Sequence, residues 1–99
     1  MKTTIINNEM IKNLCKQYNV KKLYAFGSVL TDKFTDKSDI DLIVDFKDMP
    51  VEDYADNYFD FKFSLQDIIK RDVDLLEEQA IRNPYFMQNI NQTKQLIYE

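Results

Sequence analysis

The stretch Phe26–Phe46, FGSVLTDKFTDKSDIDLIVDF, decides the fold. It holds the chain's single glycine, Gly27, directly before Ser28, then a polar turn, then two aspartates one residue apart in an apolar run. From Asp39 onward, Ile40, Leu42, Val44 and Phe46 alternate with Asp39, Asp41, Ile43 and Asp45, the period of a strand with one buried face. Residues two apart on a strand point the same way, so the Asp39 and Asp41 carboxylates fall roughly 6–7 Å apart at their bases. Carboxylates beside a core are costly to keep, and a shared divalent cation is a physical reason to keep them.

Upstream, VKKLYAFG reads as a short strand ending at Gly27, with Ser28 placed to cap a helical turn through Thr31. Before that strand, Ile6, Met10, Ile11, Leu14 and Cys15 recur at helical spacing and predict an amphipathic helix from Thr4 to Tyr18, facing the core. Downstream of Pro50 a long helix is expected over Val51–Lys70, then a short strand in RDVDLL carrying Asp72 and Asp74. The remainder reads as a turn of helix, a break at Pro84, and a closing helix holding Phe86, Ile90, Leu96 and Ile97. Helix, strand, strand, helix, strand, helix defines an α+β fold: one domain over 1–99, with a small mixed β-sheet packed against helices.

The long helix is rich in aromatic residues, and its apolar positions span roughly 220° of the wheel, about twice what packing on one sheet requires. Val51, Tyr54, Tyr58, Phe61, Leu65 and Ile68 form the expected core side. Phe59 and Phe63 fall on a flank, either exposed for a protein contact or packed under the C-terminal helix.

A chain of 99 residues with 44% hydrophobic and 30% charged content is that of a soluble globular domain. A net charge of −4 argues against holding nucleic acid directly on a basic face, because phosphate neutralisation requires clustered Lys and Arg. There is no histidine and one cysteine, which excludes an internal disulfide and the usual His-based zinc or nucleophilic sites. No signal peptide or membrane span is visible, and the cytoplasm is the expected compartment.

The remaining chemistry belongs to carboxylates. Two magnesium ions about 3.5–4 Å apart, held by shared carboxylates, can stabilise the attacking and leaving oxygens of an in-line displacement at phosphorus. Gly27 allows close approach of phosphates, Ser28 and a helix start can bind phosphate oxygens, and Asp39 and Asp41 supply metal ligands. A third carboxylate is required from a neighbouring strand. Asp74, between Val73 and Leu75, is the better placed candidate, with Asp72 as its competitor.

These motifs together resemble the Gly-Ser and Asp-x-Asp signature of the DNA polymerase beta-like nucleotidyltransferase superfamily, in particular its minimal nucleotidyltransferase (MNT) branch. The resemblance covers nearly the whole chain and implies the nucleotidyltransferase fold, with Gly27 and Ser28 at the nucleotide phosphates and Asp39, Asp41 and Asp74 as catalytic metal ligands. It further implies two Mg2+ ions, ATP as substrate, and a hetero-oligomer with an all-helical HEPN-domain ribonuclease toxin. In that family the MNT protein is the antitoxin, and it silences the toxin by attaching AMP to one of its tyrosines. Many relatives read Gly-Ser-x-Ala-Arg-Gly, whereas Thr31 and Asp32 stand here where they carry the arginine and second glycine. Lys33, Lys37, Lys70 and Arg71 are candidates for the absent cation. The departure motivates an alternative to catalysis, stoichiometric masking of the partner by a weak or inactive site; a third reading, transfer to a small molecule, is less suited to so short a chain.

Overall fold

Asn8 opens the first helix: its side-chain oxygen accepts a hydrogen bond from the backbone N–H of Ile11 at 3.0 Å, satisfying one of the free amides of the first turn. This is a computed structural model, which describes residues 8–31, 35 and 37–99, the side chain of Ser28 excepted. Helix α1 runs Glu9–Gln17, and the expected helical residues before Asn8, Ile6 among them, lie outside the described residues. Ile11 and Cys15, four apart, are its buried pair, as the helical spacing requires. Burial also pushes the Cys15 thiol up to about 12, so it behaves as a small apolar side chain.

Strand β1 (Val20–Phe26) ends at Gly27, where a 3-10 turn over Gly27–Leu30 begins. Strand β2 is Ile40–Phe46, helix α2 is Val51–Ile69 and strand β3 is Val73–Glu77. A 3-10 turn at Glu78–Ala80 precedes helix α3 (Pro84–Thr93) and strand β4 (Gln95–Tyr98). The four strands form one mixed sheet in the order β3-β2-β1-β4, with β1 antiparallel to both neighbours and β2 parallel to β3. The parallel pair is joined by α2, the crossover that such a pair requires.

The core lies between one sheet face and helices α1 and α2. Leu23 and Ala25 of β1, Leu42 and Val44 of β2, and Phe61 and Leu65 of α2 are all fully or nearly fully buried in it. Phe61 meets the rings of Tyr18 and Phe46 at 5.9 and 5.8 Å. Two tyrosines tie α2 to β3: Tyr54 donates to Oε2 of Glu77 and Tyr58 donates to the Leu75 carbonyl, both at 2.5 Å. The helix closes at Lys70, which takes a left-handed conformation and donates its backbone N–H to Gln66.

Two expectations change, at the end of the closing helix and at Val51, and two others take a definite form. The closing helix stops at Thr93, and Leu96 and Ile97 lie in β4, which pairs with the free edge of β1 and satisfies backbone groups that a longer helix would have satisfied locally. Pro84 begins α3 at its first position, where the missing N–H is harmless, and Asn83 caps that helix by accepting from Tyr85 and Phe86. Val51, at the first position of α2, is 89% exposed, whereas Ile69 at the other end of the helix is buried. Phe59 and Phe63 stay exposed and stack on each other at 6.1 Å rather than packing under α3.

The second sheet face is not bare. Ile43, assigned by alternation to the face of the aspartates, is 2% exposed, with Tyr24 and Leu76 as its neighbours across the sheet. Helix α3 reaches this side, where Phe86 meets Phe26 edge to face at 6.2 Å. Helices therefore touch both faces of the sheet.

Candidate active site

The second face carries the polar constellation. Phe26 pairs with Asp41 across β1 and β2, and Asp41 pairs with Asp74 across β2 and β3, so register sets the two carboxylates side by side. Asp39 precedes β2 by one residue and is exposed. Its charge and that of Asp74 act on Asp41, whose carboxyl is raised from the ordinary range first by burial, then by Asp74, then by Asp39. The charges of Asp74 and Asp39 are thus both felt at Asp41.

Gly27 stands directly against this group. It takes φ +75°, and a Cβ at that position would fall 2.5 Å from Oδ2 of Asp41. Both the backbone conformation and the space restrict the position to glycine. The side chain of Ser28 lies outside the described residues, as do Asp32 and Lys33.

Asp72 sits just before β3, where its carbonyl accepts the backbone N–H of Ile40 at 3.0 Å. With Asp39 it lines a shallow polar depression that also takes in Lys37, Lys70 and Arg71. Three of the basic residues considered as substitutes for the absent arginine are thus neighbours of Asp39. Lys70 forms an exposed ion pair with Asp67 at 3.6 Å, worth little in water. Arg71 is held more firmly, donating from one guanidinium nitrogen to the carbonyls of Thr35 at 2.7 Å and Ser38 at 3.1 Å. This tether on the turn leading to Asp39 was not legible in the sequence, since it joins residues more than thirty positions apart.

The donor set suits a hard cation. Among the described residues no three carboxylates close into a ready-made metal cage. Magnesium does not require one, because it is usually held by one or two carboxylates together with substrate phosphates and water. The like charges around Asp41 supply an electrostatic incentive to bind a cation there.

On the other side of Gly27 lies a cavity of about 560 Å³, walled by Phe26, Leu30, Phe86 and Ile90 and open to Gly27 and Asn89. The sequence signal for it was the spacing of Phe86, Asn89 and Ile90, three and four apart on one helix face.

A nucleotidyltransferase is the class that this sheet, glycine turn and carboxylate set define. The family model described as polymerase beta nucleotidyltransferase matches residues 9–99, and the chain belongs to that family. A Methanocaldococcus jannaschii protein named as a candidate protein adenylyltransferase is 39% identical over 87 residues, covering 88% of this chain and 84% of the relative. A second protein of that organism with the same kind of name is 33% identical over the same span. Among solved structures, a candidate minimal nucleotidyltransferase superposes with a TM-score of 0.70 at 19% identity, over 95% of this chain and 86% of that one. A Shewanella oneidensis complex of an MNT antitoxin with a tri-AMPylated HEPN toxin gives a TM-score of 0.65 at 20% identity, over 98% of this chain and 71% of that one. The enzyme activity of the chain is accordingly nucleotidyl transfer. Among the described residues no helix is long and apolar enough to cross a membrane.

Proposed function

We propose that this chain is the antitoxin of a HEPN/MNT pair, transferring AMP from ATP to a tyrosine hydroxyl of a HEPN ribonuclease partner and thereby neutralising it in the cytoplasm. The observation that carries the reading is the pairing of Asp41 with Asp74 across β2 and β3, beside a glycine whose Cβ would meet the Asp41 carboxylate. The names of the relatives and of the structural neighbours support it.

In this reading Asp39 and Asp41 hold two magnesium ions and Asp74 is the third ligand. Bound magnesium supplies Lewis-acid stabilisation of the charge that develops on the reacting phosphoryl group. The backbone at Gly27, with Ser28, binds the nucleotide phosphates and orients them on Asp41. Asp74 lies on the β3 side of Asp41, where an acceptor can enter without crossing the glycine turn. Its carboxylate favours loss of the tyrosine proton as the new oxygen–phosphorus bond forms and the bond to pyrophosphate breaks. Lys37 and Arg71, beside Asp39, are the cations nearest to the role of the arginine that relatives carry where Thr31 stands.

The test is the intact mass of the partner toxin after incubation with this protein, ATP and magnesium, with Asp39→Asn/Asp41→Asn as control. A gain of one or more AMP units, absent in the control, is expected. A second reading, neutralisation by stoichiometric binding alone, is favoured by Thr31 at the arginine position and by a carboxylate set that does not close on its own. It is the conclusion if the partner's mass is unchanged while a complex forms and inhibition survives the double substitution.

A further inference from the structure

The outer face of α2 is exposed and takes no part in the chemistry described above. Phe59 and Phe63 lie one helical turn apart there, 49% and 57% exposed, with their rings stacked at 6.1 Å. Tyr58 braces Phe59 edge to face at 5.1 Å, so the two rings are held as one apolar ridge. Adjacent exposed rings on one helix face gain from a cover that removes them from water.

What surrounds the ridge defines its occupant. Over Val51–Ile69 the helix carries five carboxylates against one lysine, the partly buried Lys62. Glu52 and Asp53 sit in the first turn, where the helix dipole favours them, but Asp56 and Asp60 lie beyond it. Asp53, Asp56 and Asp60 recur at three and four residues, a spacing at which like charges repel. With Asp48 they line a groove of about 450 Å³ that also takes in Met49 and Pro50. Asp56 and Asp60 each stand three residues before a ring, Phe59 and Phe63, so groove and ridge share a border. Among the described residues these four aspartates make no ion pair, and no three of them close into a metal cage. The groove therefore suits cationic side chains rather than a bound ion.

This charge excludes three occupants. A second copy would bring the same carboxylates against themselves, and nucleic acid or an anionic membrane would be repelled. A basic protein surface is attracted, and a helix has the matching shape, because its residues four apart pass on either side of a ridge of the same spacing.

The face also stands apart from the catalytic carboxylates. Phe61 and Leu65 of the same helix are buried in the core, so α2 and the sheet separate the ridge from the second face that carries Asp41 and Asp74. Asp39 precedes the seven-residue strand β2 and Asp48 follows it, which sets the groove and the site roughly 20 Å apart.

We infer that the outer face of α2 is a docking surface for a basic amphipathic helix of a second protein, its apolar residues seated on Phe59 and Phe63 and its lysines or arginines in the aspartate groove. This surface goes beyond nucleotidyl transfer and does not require it. A protein held there leaves the catalytic carboxylates open, and it stays bound whether or not it receives AMP.

The experiment is an amide-resolved NMR titration of the whole isotope-labelled chain, without nucleotide or metal. The probes are a synthetic helical peptide of leucine and lysine and its leucine–glutamate counterpart. The lysine peptide is expected to shift amides of α2 and of Asp48 and Met49 while leaving Gly27 and Asp74 in place, with an affinity that falls as salt rises. Phe59→Ala/Phe63→Ala and Asp56→Asn/Asp60→Asn should each weaken its binding about tenfold, the loss of a central contact. Thermal melts check that both variants are folded, and Phe59→Tyr/Phe63→Tyr, which keeps the rings, should bind as wild type. The docking surface is refuted if the lysine peptide does not bind, if its shifts fall elsewhere, or if the glutamate peptide binds equally well. Sedimentation of the protein alone tests the remaining occupant. A monomer agrees with the proposal, whereas a dimer dissolved by Phe59→Ala/Phe63→Ala assigns the ridge to a second copy and overturns it.

Discussion

Gly27 and Asp41 are packed so closely that one methyl group would separate them: a Cβ on Gly27 lies 2.5 Å from Oδ2 of Asp41, on a backbone held at φ +75°. Alanine there meets two penalties. The left-handed conformation costs an L-residue roughly 1–2 kcal/mol, and the contact displaces the carboxylate that pairs with Asp74 across the sheet. Gly27→Ala should therefore lower the melting temperature and reduce AMP transfer by about 100-fold, the scale of a misplaced catalytic group. A variant with wild-type transfer would show that the close approach has no part in catalysis.

Asp41 predicts a separation of stability from activity. Its carboxyl is raised by burial and by the charges of Asp74 and Asp39, so the ionised form is less favourable in the fold than in the unfolded chain. The resulting destabilisation is fully present above the folded-state pKa and is relieved as pH falls through it. In the metal-free protein Asp41→Asn should thus melt higher than wild type at neutral pH, the gap closing as pH falls through the raised folded-state pKa of Asp41 toward the ordinary carboxylate range. Magnesium should stabilise wild type and not the variant, and transfer should be lost. A metal-free variant less stable than wild type at neutral pH would contradict the electrostatic argument.

The aspartates were legible because they interrupt a strand pattern of period two, and the long helix because its spacing repeats over five turns. What the sequence could not reveal was set by distant partners. QLIY follows Phe86 and Ile90 at a spacing that suits a helix, yet the open edge of β1 draws it into a strand. Val51 fits the apolar side of a helical wheel, but a wheel does not show which of its positions tertiary contacts cover, and Val51 is left exposed. Ile43 falls by alternation on the face of the aspartates, yet it is buried, with Tyr24 and Leu76 as its register partners. At the candidate site, the positions of Gly27 and the carboxylates followed from local pattern, whereas the Arg71 tether and the α3 cavity depend on the chain's return to the sheet.

Helix α2 offers a direct contrast between two phenylalanines two positions apart. Phe61 is fully buried against Tyr18 and Phe46, and Phe59 is 49% exposed. Phe61→Ala should cost about 3–5 kcal/mol, a large share of the 5–15 kcal/mol that holds a domain of this size. Phe59→Ala should stay within about 0.5–1 kcal/mol, since its ring leaves only a partial contact with Tyr58 and Phe63. Urea unfolding of the two variants measures both. Equal losses would place the core boundary of α2 elsewhere.

Arg71 tests whether the turn before β2 has to be held for Asp39 to act. Its guanidinium bridges the carbonyls of Thr35 and Ser38, and Asp39 follows directly. Arg71→Met removes the bridge and the charge together, whereas Arg71→Lys keeps the charge on a shorter, more strongly hydrated head group that lacks the planar fork. If the residue acts by positioning, both variants should lower kcat for AMP transfer, Met by about tenfold and Lys by a similar factor, with KM for ATP little changed. If its charge instead contacts the nucleotide, Lys should restore much of what Met loses, and the Met variant should show its defect in KM. The pattern of rescue thus separates a strut from a phosphate ligand, and full activity in Arg71→Met would exclude both roles.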